Sequence, residues 1–116
     1  MARLPAKLEF IALLELICED NDALLETEFK NGIPGRRFRF DWACPNLNLA
    51  FEYDGGGKGH ETVLAIANDR EKDTLAQLAG WKIFRFTPKM VQNGKAGELL
   101  RLIFGHAYGL ANYRGN

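Results

Sequence analysis

The 116-residue chain predicts an α/β fold, a mixed four-stranded sheet flanked by helices in the order α-β-β-β-α-β-α. Three observations carry that expectation. Residues 37–54 read as two strands of period 2 joined by a short turn. A helical pattern over about 61–79 then leads into a further β-rich run, which a crossover helix can bring into the same sheet. Helical patterns open and close the chain.

From Pro5 to about Asp20, apolar residues at Leu8, Ile11, Ala12 or Leu14, Leu16 and Ile17 have helical spacing. Asn21 to Ala23 reads as a turn. Leu24 to Lys30 alternates as a first strand, closed by Asn31-Gly32-Ile33-Pro34-Gly35. In the second strand, from Arg37 to Ala43, alternation puts Phe38, Phe40 and Trp42 on one side and Arg37, Arg39 and Asp41 on the other. In the third, Leu49, Phe51 and Tyr53 oppose Ala50, Glu52 and Asp54. Gly55-Gly-Gly-Lys-Gly59 ends that strand, and its glycines permit close backbone approach to a ligand. The second helix, about 61–79, is expected to turn Val63, Ile66 or Ala67, Leu75 and Leu78 inward and to stop at Gly80. Trp81 to Phe86 has aromatics on both faces, as a central strand does. Thr87-Pro88 signals a helix start, Gly94 an interruption, and about Lys95 to His106 a last amphipathic helix presenting Leu99, Leu100, and Leu102 or Ile103. The tail from Tyr108 to Asn116 is expected to fray. No linker or repeat divides the chain, so a single domain over 1–116 is expected, with its core at about 8–104.

Fifteen lysines and arginines balance 15 aspartates and glutamates. A chain of zero net charge gains no general attraction to nucleic acid, so local patches must supply it. Arg36, Arg37 and Arg39 form one such patch; Arg70 lies on the second helix, and Lys82, Arg85, Lys89 and Lys95 follow. Cys18 and Cys44 lack CxxC spacing and read as buried thiols of a reducing cytoplasm. No run approaches the ~18 apolar residues of a membrane span, and Met1-Ala-Arg-Leu-Pro5 has no signal-peptide core, so a cytoplasmic protein is expected. The glycine run lacks the GK[ST] ending of a P-loop, and no small-molecule cofactor is expected.

Three carboxylates on one hairpin face are the chemical signal. If the turn centres on Asn46-Leu47, Asp41 faces Glu52 and Arg39 faces Asp54. Like charges directly opposite one another destabilise a sheet. A divalent, oxygen-ligated cation such as Mg²⁺ would remove the repulsion of Asp41 and Glu52 and give the pair a role. Asp54 reads equally as an ion-pair partner of Arg39, Lys72 as a partner of Asp69 three residues earlier, and His106 as structural or exposed. Trp42 and Trp81 read as core.

Phe40-Asp41-Trp42, Leu49-Ala-Phe-Glu-Tyr-Asp-Gly-Gly56, His60, Asp69-Arg-Glu-Lys72, Leu75, Leu78 and Gly80-Trp-Lys-Ile-Phe-Arg-Phe-Thr-Pro88 together resemble the PD-(D/E)XK nuclease superfamily. Within it they look most like the small phage and bacterial endonuclease-like domains related to very-short-patch-repair endonucleases. The resemblance covers residues 8 to 104. It implies a restriction-endonuclease-like fold and a Mg²⁺-dependent DNA endonuclease, with Mn²⁺ able to substitute. The setting it implies is phage- or prophage-derived DNA repair, recombination or processing.

Carried over by position, Asp41 would be the metal-binding aspartate and Glu52 the acidic residue of the (D/E)XK element. Glu9 would complete the acidic cluster from the first helix. Asp54 stands where the superfamily has its lysine, and is carried as a catalytic or metal-binding residue; Lys72 on the second helix is the candidate replacement for that lysine. His60 falls where the related repair enzymes use histidine, as a general acid/base or a water-mediated metal contact. Arg36, Arg37, Arg39, Lys58, Arg70 and Arg85 would contact DNA. A homodimer suits double-strand cleavage and a monomer suits nicking. The rival reading is a catalytically inactive nucleic-acid-binding module or assembly subunit with the same fold, favoured by the missing lysine at Asp54.

Overall fold

The structure, a computed structural model, describes residues 3–30, 32–55 and 62–113. The chain divides into two compact units, Leu25–Thr87 and the pair of segments Met1–Leu24 and Pro88–Asn116.

The first unit holds strands β1 (Glu26–Lys30), β2 (Arg39–Cys44), β3 (Leu49–Tyr53) and β4 (Lys82–Phe86), with helix α2 (Val63–Leu78) between the last two. The sheet order is β1-β2-β3-β4. The first three strands form an antiparallel meander, and β4 runs parallel to β3. A parallel neighbour requires a crossover, and α2 lies in that connection. A single 3₁₀ turn, Pro45–Leu47, joins β2 to β3 and ends at Asn48, which takes the left-handed conformation at φ 56°. Asparagine tolerates that region better than most residues. The resulting register, Trp42 to Phe51, Ala43 to Ala50 and Cys44 to Leu49, is the one the sequence predicts from a turn at Asn46-Leu47.

One part of the strand reading is corrected. Phe38 and Phe40 pack in one cluster as expected, but Trp42 does not join them. Phe40 is buried in a cluster with Ile33, Ala43, Ala50, Ala76 and Trp81, against which Phe29, Phe38, Leu75 and Ile83 pack, and Trp42 is not part of it. The β1/β2 ladder keeps one offset from Thr27–Trp42 to Phe29–Phe40, with a gap at the position of Glu28 and Asp41. Glu28 has φ 47°, a left-handed conformation that interrupts the period-2 alternation of an extended strand.

Trp81 anchors this cluster, its ring 5.0 Å from that of Phe40 and 5.4 Å from that of Phe29, while its indole Nε1 donates to the Gly32 carbonyl at 2.7 Å. Gly32 is required by close approach rather than by backbone conformation. A Cβ added there would lie 2.6 Å from Cε2 of Phe40. Gly32→Ala is therefore expected to cost about 1–3 kcal/mol, as overpacking against rings held on both sides does. Denaturant unfolding measures it, and an unchanged midpoint would show that Phe40 can yield.

The second unit holds α1 (Ala6–Asp20), α3 (Pro88–Gln92) and α4 (Lys95–Tyr113). Its helices bury Leu14 and Leu100 as expected, but each on a stripe otherwise different from the one expected. On α1 the buried residues are Phe10, Leu14 and Cys18, while Leu8 and Leu16 are exposed. On α4 they are Ala96, Leu100 and Phe104, while Leu99 and Leu102 are exposed. Both stripes have i, i+4, i+8 spacing. Because α1 is apolar around most of its circumference, periodicity admits more than one inward face. Asn93 accepts from the Lys95 amide at 3.0 Å and so caps α4, which continues in helical conformation past His106 to Tyr113. Among the described residues, no helix is long and apolar enough to cross a membrane.

Candidate active site

The face that α2 presents to the sheet is charged. Its apolar residues Val63 and Leu78 are 86% and 79% exposed, and Ala76 is the buried residue of the helix. The expected inward stripe of Val63, Ile66 or Ala67, Leu75 and Leu78 is thus corrected, save for Leu75, which packs against the core cluster. Besides Leu75, the residues directed at the sheet are Asp69, Lys72, Asp73 and Ala76, spaced i, i+3, i+4 and i+7. Exposing leucine and valine while turning lysine and aspartate inward opposes the ordinary driving force for helix docking. Such violations concentrate at functional sites.

Opposite this stripe lies Glu52, among the described residues the one buried residue that is polar or charged. Its Oε1 accepts from Lys72 Nζ at 2.9 Å, with the two side chains only 10% and 12% exposed. Its Oε2 accepts from the Asp41 backbone amide at 2.9 Å, while Asp41 Oδ2 accepts from the Tyr53 amide at 3.0 Å. The two carboxylates thus take over the cross-strand bonding of β2 and β3 where the ladder stops at Trp42–Phe51. Each acid occupies the other strand's donor, which holds Asp41 and Glu52 side by side at the end of the ladder. Among the described residues, no side-chain nitrogen or oxygen is buried without a partner.

Two cations border Glu52. Lys72 Nζ also stands 5.6 Å over the ring of Phe40, a cation–π contact that orients the ammonium. Arg85 lies beside Glu52 in the β3/β4 register and brings Nη1 to 3.6 Å from its Oε1. The stronger bonds of Arg85 go to Asp73, from Nη2 at 2.7 Å and from Nε at 3.2 Å, and Asp69 stands 3.8 Å away. Burial alone would lower the Arg85 pKa, but the Asp73 hydrogen bonds and charge, with Asp69 and Glu52 behind them, raise it above its ordinary value. Arg85 is a permanent cation here.

The other sequence-predicted residues distribute as follows. Asp54 follows β3, its amide donates to the Phe86 carbonyl at 2.8 Å, and its side chain is exposed. Glu9 belongs to the helical unit, where Arg3 Nε and Nη2 donate to its two oxygens at 2.9 and 3.1 Å. That hydrogen bond, with the Arg3 charge, holds the Glu9 carboxyl below the usual glutamate range. Arg36 pairs loosely with Glu71 at 3.6 Å, Arg37 and Arg39 are exposed, and Arg70 is exposed at 3.8 Å from Asp73. Arg85, expected at a DNA-facing surface, has its guanidinium occupied by Asp73. His60 and Lys58 lie outside the described residues.

Asp73 is the residue whose part the sequence reading missed. The legible signal was the spacing of Asp69, Lys72 and Asp73 one helical step from Ala76, which placed these charges on one stripe without showing that the stripe faces inward.

Among the described residues, no three histidine, cysteine or acidic side chains are grouped to hold a metal ion. A Mg²⁺ site does not demand three, because Mg²⁺ keeps several waters and is commonly held by one or two carboxylates together with substrate phosphates. Asp41 and Glu52 supply the required hard oxygens, and each oxygen named above retains a second lone pair beyond its hydrogen bond. The donor set fits such a cation.

No protein-family model matches the chain, and no curated protein matches it. Among solved structures, the catalytic domain of the homing endonuclease I-Bth0305I is similar, with a TM-score of 0.64 and 12% identity over 91% of this chain and 98% of that one. At that identity the likeness bears on fold: this chain has a nuclease-like α/β fold with a four-stranded mixed sheet.

Proposed function

We propose that the chain is a divalent-metal-dependent endonuclease that hydrolyses phosphodiester bonds in DNA. The observation that carries this reading is the Asp41–Glu52 pair, held across two strands by reciprocal bonds to backbone amides, with the Lys72 ammonium delivered to it by an inward-facing charged helix stripe. The solved neighbour's name, a homing endonuclease catalytic domain, supports it.

Asp41 and Glu52 would hold Mg²⁺, or Mn²⁺ in its place. The chemistry such a cation would supply there is Lewis acidity toward a phosphoryl oxygen and toward the attacking water. Asp41 is fixed by the Tyr53 amide, so its free oxygen has a set direction. Lys72, already within reach of Glu52, would place positive charge where the phosphate becomes more negative in the transition state. The exposed Arg36, Arg37, Arg39 and Arg70 would hold the backbone of the strands, giving an affinity that falls as salt rises. Repair, recombination or processing of phage or bacterial DNA is the setting that suits this chemistry.

One observation favours a second reading, an inactive DNA-binding module of the same fold. Both Glu52 oxygens are already bonded within the protein, so the acid has a structural use without any metal.

A cleavage panel of linear, supercoiled, single-stranded and branched DNA, with Mg²⁺, Mn²⁺ or EDTA, separates the two. Metal-dependent cleavage of any member supports the endonuclease. Binding without cleavage of any member under either metal would establish the inactive module.

A further inference from the structure

Resting on the endonuclease reading, we propose that the Asp73–Arg85 ion pair is the positioning device that sets Lys72 on Glu52, and that neither partner touches the phosphate. Three observations lead there. First, hydrophobic packing underdetermines the seat of α2. Ala76 is its buried residue and Leu75 is half-buried, whereas Val63, Leu64 and Leu78 are 86%, 70% and 79% exposed. A helix held by one buried alanine and one half-buried leucine has little apolar contact to fix its sliding or rotation over the sheet, and Lys72 would travel with it. Second, the fork of Arg85 fixes both freedoms. Two of its nitrogens donate to Oδ1 of Asp73, at 2.7 and 3.2 Å, and Nε also reaches Oδ2 at 3.3 Å. A planar fork specifies direction as well as distance. Third, the two ends of the pair are neighbours of the two groups to be aligned. Asp73 follows Lys72 on α2, and Arg85 pairs with Glu52 in the β3/β4 ladder. Locking Asp73 to Arg85 therefore locks Lys72 to Glu52.

A lone surface ion pair would not bear this weight, since exposed pairs contribute little. Here the side chains of Arg85 and Asp73 are 23% and 20% exposed, and Asp69 and Glu52 surround the same guanidinium. Arg85 thus holds both α2 and β3.

The test compares Arg85→Gln, Arg85→Lys and the milder Asp73→Asn, all well below their melting temperatures. The first readout needs no activity. It is the proton–nitrogen correlation signal of the Lys72 Nζ group, assigned by its disappearance in Lys72→Met. The wild type should show it protected by the Glu52 bond, and all three variants should lose that protection. Arg85→Lys should fail to rescue it, because lysine keeps the charge and lacks the fork. The second readout is single-turnover cleavage, where kcat should fall on the order of ten- to a hundredfold, as for a misplaced catalytic group, with KM nearly unchanged. A Lys72 signal that survives in Arg85→Gln and Asp73→Asn, or full rescue by Arg85→Lys, overturns the proposal. If the wild type cleaves nothing, the endonuclease reading fails, and the Nζ signal alone still decides whether the pair positions Lys72.

Discussion

Glu52→Gln is expected to abolish metal-dependent cleavage and to lower the melting temperature, whereas Asp41→Asn should abolish cleavage and leave stability nearly unchanged. The shared loss follows from the shared role. An amide oxygen is a far weaker ligand for a hard divalent cation than a carboxylate, and several kcal/mol of transition-state stabilisation correspond to a rate loss on the order of 10³-fold or more. The difference in stability follows from the partners. In Glu52→Gln the Lys72 ammonium, 12% exposed, faces a neutral amide in place of a carboxylate. Losing one partner of such a pair costs about 1–3 kcal/mol, less than for a fully buried pair because some water reaches it. In Asp41→Asn the amide oxygen can still accept from Tyr53, and a negative charge beside Glu52 is removed.

Like-charge repulsion considered alone predicts that either amide leaves the fold as stable or more so. The Lys72 contact reverses that sign at Glu52. Single-turnover cleavage and thermal melts of both variants check the pair of claims. Wild-type cleavage by either variant, in preparations free of contaminating nuclease, would remove that residue from the proposed metal site. A Glu52→Gln melt at or above the wild-type value would mean that the lysine bond adds no net stability.

The hairpin was legible because its information is local. Asn46-Leu47 between two alternating runs sets the register, and the register alone brings Asp41 to Glu52. The element order was legible too, since Gly80, Thr87-Pro88 and Gly94 punctuate it. What the sequence conceals is which face of each helix turns inward. On α1 the apolar residues leave several choices, and on α2 the most apolar stripe is the exposed one. A hydrophobic pattern cannot reveal a helix that docks through Asp69, Lys72 and Asp73, because the partners of that stripe, Arg85 for the aspartates and Glu52 for the lysine, lie on strands distant from the helix in the chain. The left-handed Glu28 escaped for a related reason. A glutamate in a strand carries no local mark of positive φ.

Lys72 can then be tested for two separable contributions. Lys72→Met keeps most of the side-chain length over Phe40 while deleting the charge. It should lower kcat on the order of 10²-fold, as loss of a preorganised electrostatic group does, with a much smaller effect on DNA binding. Were Lys72 only a solvated partner of Asp69, its loss would cost at most ~0.5 kcal/mol and leave cleavage intact. The structure places it on Glu52 instead, and Lys72→Met should destabilise by about 1–3 kcal/mol, because Glu52 keeps the Asp41 amide and a longer contact to Arg85 but loses its nearest cation. Adding Glu52→Gln should not double that cost. With both charges gone, neither group is left unpaired, so the double variant should be more stable than the sum of the singles implies, by about 1 kcal/mol or more. Thermal melts of the four proteins measure the coupling, and strict additivity would show that the 2.9 Å contact contributes nothing. Single-turnover cleavage at saturating Mg²⁺ measures the other contribution. A near wild-type rate in Lys72→Met would leave the ammonium a structural counter-ion of Glu52 and shift the task of charge stabilisation to the metal and its bound water.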